Sequence, residues 1–453
     1  MDTLKFIAVS GTTRVTENLY VYEYGGDIII VDCGVGFPEE ATYGVDLVIP
    51  DFSYLVKNKH KVRGLFITHG HEDHYGAIPF ILRELDVPIF TGRLTAGFID
   101  DKLEEYSGKR PRITVMDPSG GQVKLGNFTV EAFSVTHSVP DSIAFCITTP
   151  LGKFFHVSDY KFDWTPVDQR PFDVARAARL AQGGVLGMAS DALGATSEGY
   201  TKSESELEQT IETIVSGAKK RVFFTTISSN ISRMRQAIHA SMRTGRKVAL
   251  VGRSIEKKME ISTHLSLFRY PHGIFVSLKE AHRLSPDKVT YIISGCYGQV
   301  GSALYRVAMR EHQTLNVEND DVVIFSADPA PPGTEETVNF VVDNLIERGA
   351  EVHYYDTQED LHVSGHGSQK EIEMLLALIR PKYLIPIGGT VRHMRSYRQI
   401  AEKMGWTKEA VFELGEGHTV DFSKGNARRG KPVPVRDVLV DGLGVGDVGN
   451  VIL

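Results

Sequence analysis

The chain has 453 residues, of which 42% are hydrophobic and 24% are charged. These proportions exclude a largely disordered or collagen-like protein, and the length exceeds what one hydrophobic core usually supports, so we expect two domains or one domain with a large insertion. Because the formal net charge is −7, an anionic partner must be attracted by local positive patches or by bound metal rather than by the overall field.

Short β-type segments dominate the first part of the chain, up to about Ala195. Most are about four to eight residues long and are bounded by Gly, Asp, Ser or Pro, which is typical of strands. The segments read LKFIAVS, LYVYEYG, DIIIVDCG, VRGLFITHG, VPIFTG, FTVEAFSVTHS, SIAFCITT and KFFHVSD. We therefore predict a mainly β architecture for this part.

The pattern changes after Ser197, where apolar residues recur at helical spacing and the run from Thr201 to Glu204 predicts a helix N-terminal cap. Strand-like and helical segments then alternate up to about Asp356, which predicts a parallel α/β sheet. From Leu361 onwards we predict a helix, a strand, a second helix and a last β-type segment. No apolar run reaches the roughly 20 residues that cross a bilayer, so we expect a cytoplasmic protein without a membrane partner.

Three histidines and two acids crowd into six consecutive positions of the stretch FITHGHEDHYGA. The residues before them form a buried strand pattern and those after them a helical one, so the cluster is predicted to lie on a strand-to-helix turn. Residues two apart on an extended segment point the same way, which lets His69 and His71 converge on one metal while Asp73 and His74 reach a second. Imidazole and carboxylate ligands fit Zn²⁺ or Mn²⁺.

Further ligand candidates follow other strands. His137 in FSVTHSVPDS and Asp159 in FFHVSDYKFD would each, taken alone, be explained as a turn or cap residue. Because strand ends in one sheet converge on one edge, the two join the first cluster as candidate metal ligands. Asp32, at the end of DIIIVDC, has the same placement, and we expect it to orient a histidine rather than to bind metal.

The pattern HxHxDH, followed by a histidine and an aspartate at strand ends, resembles the metallo-β-lactamase superfamily. The segments SDYKFDWTPVD, SDALGATSEGYTKSE, SSNISRMRQAI and LHVSGHGSQ further resemble ribonuclease J of the β-CASP group, and this similarity runs from about Phe6 to Leu453. The resemblance implies an α/β fold, namely a metallo-β-lactamase αββα sandwich with an inserted parallel α/β β-CASP domain. It implies a metallo-β-lactamase domain at 1–197 and 357–430, the β-CASP domain at 198–356, and a terminal β segment at 431–453 with the family's C-terminal domain absent.

By the same resemblance the chain is expected to be a metal-dependent ribonuclease, a 5′-to-3′ exonuclease with endonuclease activity left open, in RNA processing and decay. The implied cofactors are two divalent ions, Zn or Mn, and the implied partner is RNA, with a homodimer left open. The implied metal ligands are His69, His71 and His137 for one ion, Asp73 and His74 for the other, and Asp159 as the bridge. The implied catalytic residues are His366, Asp73 and Asp191, of which Asp191 orients a site histidine. The implied RNA phosphate contacts are His362, Ser364, Ser229, Asn230, Arg233 and Ser326.

Other basic residues are further candidates for phosphate contacts in the β-CASP part. They are the runs Lys219–Arg221 and Arg243–Lys247, and Arg253 after a predicted buried strand. Ordinary exposure on a solvated helix face is the simpler explanation for any single member of the two runs.

Two departures from the family pattern bear on function. Gly388 stands where family members commonly carry a histidine ligand of the second metal, which predicts a second ion that is held weakly. Asp328 stands where small hydroxyl residues are usual, and its charge would oppose a 5′ phosphate. Two alternatives therefore stay open, an RNA-binding subunit of weak or no activity and another β-CASP nuclease that acts on DNA.

Overall fold

The computed structural model describes residues 3–37, 45–106, 110–329, 333–441 and 444–445. The strands are β1 Leu4–Ser10, β2 Leu19–Tyr24, β3 Asp27–Val31, β4 Leu47–Ile49, β5 Val62–Phe66, β6 Ile89–Thr91, β7 Ile113–Val115, β8 Gln122–Leu125, β9 Phe128–Ser134, β10 Ile143–Thr149, β11 Gly152–Val157, β12 Val185–Asp191, β13 Val222–Thr225, β14 Lys247–Val251, β15 Val289–Ile293, β16 Val322–Phe325, β17 Glu351–His353, β18 Pro381–Ile387, β19 Thr419–Ser423, β20 Asn426–Arg429, β21 Val438–Asp441 and β22 Gly444–Val445. The α-helices are α1 Ser53–Lys57, α2 Glu72–Tyr75, α3 Ile78–Glu84, α4 Arg93–Glu105, α5 Val174–Ala181, α6 Leu207–Gly217, α7 Ile231–Arg243, α8 Arg253–His264, α9 Leu278–Ala281, α10 Ala303–Ala308, α11 Thr334–Glu347, α12 Gln369–Ile379 and α13 Val391–Lys403.

Two mixed sheets stack face to face. An eight-stranded sheet has the order β20-β19-β1-β2-β3-β5-β6-β7, and a six-stranded sheet has the order β18-β12-β11-β10-β9-β8. Aromatic rings meet between them, with centroids 6.1 Å apart for Phe6 and Phe154 and 5.5 Å apart for Phe66 and Phe145. Removing these apolar faces from water contributes about 25 cal/mol per Å² to folding, which makes the inter-sheet layer a principal core of the protein.

Helices cover the outer faces of the two sheets. Helices α3 and α4 pack on the eight-stranded sheet through buried residues that include Ile78 and Phe98. Helices α5, α12 and α13 pack on the six-stranded sheet through Leu180, Leu375 and Tyr397. The layer order helix, sheet, sheet, helix confirms the predicted αββα sandwich.

A third sheet is entirely parallel and has the order β14-β15-β13-β16-β17. Helices α6 and α7 bury one of its faces through Ile211 and Met234, and α10 and α11 bury the other through Leu304 and Val341. The chain enters this sheet after β12 and leaves it before β18, although β12 and β18 are neighbours in the six-stranded sheet. The parallel α/β block is therefore an insertion into the sandwich, as predicted.

The parallel strands of the sandwich bring the candidate residues to one edge. In one sheet β3 pairs with β5, and in the other β11 pairs with β12 and β12 with β18, all in parallel. Because neighbouring parallel strands end at the same edge, the residues that follow or end them lie together. These residues are Asp32 after β3, His69 after β5, Asp159 after β11, Asp191 at the end of β12 and Gly388 after β18.

Some local predictions differ from the structure. Helix α4 lies in the part predicted to be mainly β, and the helical segment after the histidine-rich turn is divided into α2 and α3. The cap predicted at Thr201 is wrong, because Ser203 and Glu206 form the capping box. The Thr201 hydroxyl instead donates to the backbone carbonyl of His366, 2.7 Å away. Because it makes this tertiary contact, the hydroxyl does not cap the helix.

The last predicted β segment is described in part. Strand β21 pairs with β4 and with β22, whereas 442–443 and 446–453 lie outside the described residues. Within the ranges that the structure covers, every helix is too short or too polar to cross a bilayer.

Candidate metal centre

The histidine-rich stretch forms the predicted strand-to-helix turn between β5 and α2. Its position is fixed by backbone contacts to the loop after β3, where the Cys33 N–H donates to the His74 carbonyl at 2.7 Å. A Cβ atom on Gly34 would lie 1.5 Å from the Asp73 carbonyl oxygen, so only glycine permits this approach. The side chains of His69 and His74 are almost completely buried, which removes them from the competition of bulk water.

Four side chains converge on a first point. One donor atom from each of His69, His71, His137 and Asp159 lies within 4.8 Å of all the others. His71 Nδ1 is 3.1 Å from His69 Nε2 and 3.0 Å from His137 Nε2. Asp159 Oδ2 is 3.5 Å from Nε2 of both His69 and His137. A single cation at the centre would be within reach of all four donors.

The imidazole protons point away from this centre. His69 Nδ1 donates to Thr68 Oγ1 at 3.0 Å, and His137 Nδ1 donates to the Gly365 carbonyl at 2.7 Å. Burial lowers the pKa of His71 to about 4, and it lowers the pKa of His69 and of His137 well below the ordinary value. Neutral rings with inward electron pairs repel one another unless a cation lies between them, so this donor set fits a divalent ion.

A second group adjoins the first through the same aspartate. His74 Nε2 lies 3.4 Å from Asp73 Oδ2 and 3.4 Å from Asp159 Oδ2, and His74 Nδ1 donates to Asp32 Oδ2 at 2.8 Å. Burial acts to lower the pKa of His74, but the three carboxylates outweigh it and raise that pKa well above the ordinary value. A second cation would offset this surplus of negative charge. Among the described residues, however, the further group of donor atoms that lie within 4.8 Å of one another is formed by Asp159, Asp191 and His366.

Asp32 supports both groups, because it accepts hydrogen bonds from His74 and from Thr68. Asp32→Asn removes the charge, and asparagine tolerates the left-handed backbone at this position, where φ is 61°. We expect metal affinity to fall about 10–100-fold, measured by competition with a chromogenic chelator. Asp27→Asn at the other end of β3, where Asp27 pairs with Arg63 at 2.6 Å, is the matched control. Equal affinity in the two variants would contradict the assignment.

His366 lies beside Asp159, the aspartate that the two groups of donors share. Its Nδ1 donates to Asp191 Oδ2 at 2.6 Å, and its Nε2 is 3.9 Å from Asp159 Oδ2. Burial acts to lower the pKa of His366, but the Asp191 and Asp159 carboxylates raise it to about 9. The side chain keeps 20% of its surface exposed, so an oriented imidazole borders the centre and remains accessible to a substrate.

Gly388 lies next to the carboxylates of Asp159 and Asp191. Its φ is 67°, and a Cβ atom there would lie 3.4 Å from Asp191 Oδ1 and 4.0 Å from Asp159 Oδ1. His393, five residues later, caps α13, because its Nδ1 accepts a hydrogen bond from Thr390 N at 3.1 Å. The strand end after β18 therefore offers space rather than an imidazole.

Several of the predicted phosphate contacts meet next to this centre. Arg233 is 1% exposed, and its Nη2 lies 2.9 Å from both carboxylate oxygens of Glu204. Its Nη1 donates to the Ser326 carbonyl at 2.8 Å and lies 3.4 Å from His362 Nδ1. Asp328 Oδ2 is 3.7 Å from His362 Nε2. The structure thus brings together His362, Ser326 and Arg233, with most of the guanidinium engaged by the protein.

The remaining predicted phosphate contacts have different surroundings. Asn230 is the N-cap of α7 and accepts from the Arg233 N–H at 2.9 Å. Ser229, which precedes it, is buried. Ser364 is exposed and accepts from the His366 N–H at 3.0 Å. Ser364 therefore lies directly beside the predicted catalytic histidine. The side-chain oxygen Oδ1 of Asn230, in contrast, caps its own helix α7.

The basic runs of the inserted domain mostly make structural contacts. Arg221 pairs with the buried Asp321, Arg243 pairs with two glutamates of α6, and Arg246 donates to three backbone carbonyls. Arg253 is 72% exposed at the start of α8. Of these four, Arg253 is the residue most available to a polyanion.

Sequence reasoning missed the residues that hold the segment around His366. Glu371 accepts from Thr201 N at 2.8 Å and from Ser368 N at 2.9 Å. The buried Lys161 donates to the Ser364 carbonyl at 3.1 Å. The spacing of Ser368 and Glu371 is that of a capping box and could have predicted the role of Glu371. No local sequence pattern predicts the contact of Lys161.

Family models match three consecutive parts of the chain. The metallo-beta-lactamase superfamily matches residues 12–217, the beta-CASP domain of ribonuclease J matches 219–345, and the Zn-dependent metallo-hydrolase RNA specificity domain matches 350–411. A crystal structure of a protein of unknown function from Enterococcus faecalis V583 is similar to 93% of this chain and 100% of that one, with a TM-score of 0.67 and 14% identity. At this identity the likeness supports the fold alone.

Curated relatives are similar over nearly the whole chain. Ribonuclease J2 of Bacillus subtilis is 34% identical, covering 100% of this chain and 81% of its own length. Ribonuclease J 1 of Streptococcus pyogenes is 37% identical over 98% and 79%, and ribonuclease J of Thermus thermophilus is 36% identical over 100% and 80%. With the sandwich, the inserted parallel sheet and the histidine-rich edge in place, this similarity shows that the chain belongs to the ribonuclease J family.

Proposed function

We propose that the chain hydrolyses RNA phosphodiester bonds as a metal-dependent ribonuclease, acting 5′-to-3′ as an exonuclease with internal cleavage as a second mode. The observation that carries the proposal is the buried convergence of His69, His71, His137 and Asp159 next to the Asp191–His366 pair. The names of the relatives and of the matched RNA specificity domain support RNA as the substrate. The chain retains these four donors and the oriented His366, and this favours catalysis over an RNA-binding subunit although Gly388 lacks a ligand.

We assign one divalent ion, Zn or Mn, to His69, His71, His137 and Asp159, and a second ion to Asp73, His74 and Asp159. Two such ions supply charge stabilisation for a phosphate and increase the acidity of a water. The protein's own part is to hold these donors rigidly, with Asp32 orienting the imidazole of His74. His366, held by Asp191, is assigned to give a proton to the leaving oxygen.

We assign the end of the RNA to a phosphate site beside His362. The proposed contacts are His362, Ser364, Ser229, Asn230, Ser326 and Arg233. Burial lowers the pKa of His362 well below its ordinary value, so at neutral pH this ring is a neutral hydrogen-bonding group. Asp328, 3.7 Å from His362, adds an opposing charge. The preference for a 5′ monophosphate over a 5′ hydroxyl is therefore expected to be small.

The direct test uses RNAs of one sequence that carry either a 5′ monophosphate or a 5′ hydroxyl, with Mn²⁺ or Zn²⁺ added. Both RNAs should be shortened from the 5′ end with release of mononucleotides. Intact RNA in the presence of metal-loaded protein would overturn the proposal. Faster cleavage of single-stranded DNA of the same sequence would assign the chain to a DNA-directed activity instead.

The opening at Gly388 predicts a weakly held second ion. Gly388→His would place an imidazole toward Asp159, and we expect the dialysed variant to retain more metal per chain than the wild type, measured by inductively coupled plasma mass spectrometry. Any side chain is strained by about 1–2 kcal/mol at this left-handed backbone, so Gly388→Ala is the control that carries the same strain without a ligand. Equal metal content in all three proteins would contradict a weak second site.

We further propose that the metallo-β-lactamase domain comprises 1–197 and 357–430, and that the β-CASP domain comprises 198–356. The terminal segment 431–453 follows them, and its residues 442–443 and 446–453 lie outside the described ranges. RNA is the proposed partner and the cytoplasm the proposed location, and the choice between a monomer and a homodimer stays open. Sedimentation velocity tests the assembly, because one chain has a mass of 50.2 kDa.

A further inference from the structure

The segment from Leu361 to Ser368, here called the His366 loop, is held through its backbone from several directions. Four of its carbonyl groups accept a hydrogen bond from a side chain elsewhere in the chain. The pairs are Leu361 with Ser326 Oγ at 2.7 Å, Ser364 with Lys161 Nζ at 3.1 Å, Gly365 with His137 Nδ1 at 2.7 Å and His366 with Thr201 Oγ1 at 2.7 Å. The loop is therefore positioned by side chains from both domains.

Lys161 is the charged member of this set. Its side chain is 1% exposed, and its ammonium donates to the carbonyls of Ser364 and Lys202, both at 3.1 Å. The carboxylates of Asp163 and Glu204 each approach it to 3.9 Å. A charge buried to this degree is retained only when hydrogen bonds and opposite charges compensate for its lost hydration, and here both do.

The contacts of Lys161 continue into the inserted domain and return to the loop. Glu204 pairs with Arg233 of α7, and Arg233 donates to the backbone carbonyl of Ser326, which follows β16. The Ser326 hydroxyl then donates to the Leu361 carbonyl at the start of the His366 loop. These buried contacts form a closed ring. Ser326 of the inserted domain holds the start of the loop at Leu361, and Lys161, which follows β11, holds its middle at Ser364.

We propose that Lys161 is a positioning residue for His366. Its ammonium holds the backbone two residues before the imidazole, and this keeps the ring in line with the scissile phosphate. The inference rests on the proposed ribonuclease function. Displacing a reacting group by about 1 Å can cost about 10²-fold in rate, so a loosened loop would reduce turnover while the metal ligands stay in place.

Lys161→Met removes the ammonium and keeps the length of the side chain. We expect kcat to fall about 10–100-fold with metal content close to that of the wild type, and KM for RNA to change less than kcat although Ser364 lies in the same loop. Lys153→Met is the matched control, because Lys153 also donates to two backbone carbonyls, those of Leu180 and Gln182, both at 2.8 Å. Full activity in Lys161→Met, or the same loss of kcat in Lys153→Met, would overturn the inference.

A double-variant comparison separates positioning of His366 from a general effect. If Lys161 acts through His366, Lys161→Met should cause no further loss of kcat in a protein that already carries His366→Ala. An equal loss in both backgrounds would show that Lys161 acts independently, which contradicts the proposal.

A variant with balanced charge covers the case in which Lys161→Met folds poorly. Lys161→Met combined with Asp163→Asn removes one charge of each sign but also one acceptor, that of the Glu204 N–H. It should therefore recover part of the lost melting temperature while kcat stays low. Recovery of kcat together with the melting temperature would reduce Lys161 to a stabilising residue and overturn the inference. Wild-type protein that cannot cleave RNA would overturn the proposed function itself, an outcome distinct from an active wild type with a fully active Lys161→Met variant.

Discussion

His366→Ala is expected to slow RNA cleavage about 10²–10⁴-fold without loss of bound metal. The reason is the position of the imidazole, which Asp191 holds at 2.6 Å with Nε2 directed toward the bridging Asp159. Despite the opposing effect of burial, the Asp191 and Asp159 carboxylates raise the pKa of His366 to about 9, which favours the protonated ring that can give a proton to a leaving oxygen. Single-turnover rates at saturating protein report the chemical step and exclude effects on RNA affinity.

His353→Ala is the control for this variant, because His353 lies on β17 of the inserted sheet and pairs with Glu351 at 2.9 Å. It should cleave RNA at the rate of the wild type. A His366→Ala protein that keeps most of the wild-type rate would show that the leaving oxygen departs without help from this side chain, and it would remove His366 from the mechanism.

Asp159→Asn is expected to have the largest effect on the metal centre, with loss of at least one ion and a decrease in rate of about 10³-fold. The carboxylate Oδ2 is 3.5 Å from Nε2 of His69 and of His137 and 3.4 Å from that of His74, so both groups of donors depend on it. A neutral amide cannot balance the charge of two cations. Metal analysis after dialysis and cleavage rates on the same samples measure the two effects.

Asp168→Asn is the matched control, because Asp168 lies in the loop after β11 and accepts a local hydrogen bond from the Arg170 N–H at 3.1 Å. It should keep the metal content and the rate of the wild type. Full metal content in Asp159→Asn would mean that the two groups do not share this carboxylate, and the assignment of a bridged pair would be wrong.

Much of the fold and of the edge that carries the site was predictable from local signals. Strand patterns ending in Asp32, His69 and Asp159 placed these side chains at carboxyl ends, and parallel pairing brings such ends together. The switch to alternating strands and helices likewise predicted the parallel sheet, whereas its insertion into the sandwich was implied by the family resemblance. Patterns of this kind are properties of single segments, so one sequence is enough to detect them.

The contacts that organise the His366 loop were not predictable in this way. Lys161 and Ser364 are 203 positions apart, and neither belongs to a local pattern that indicates a contact. Arg233 was expected at an RNA phosphate through family resemblance, yet its guanidinium is committed largely to Glu204. The cap predicted at Thr201 failed for a related reason, because that hydroxyl is used by a distant carbonyl. Such pairings depend on the folded topology.

The most direct test is a crystal structure of the chain grown with excess Mn²⁺ or Zn²⁺, with anomalous differences collected at the absorption edge of each metal. We expect two peaks about 3.5–4 Å apart, with Asp159 within coordination distance of both. The stronger peak should lie among His69, His71 and His137, and the weaker one beside Asp73 and His74. Ordered side chains at this edge without an anomalous peak within coordination distance of their donor atoms would contradict a metal centre at this edge of the sandwich.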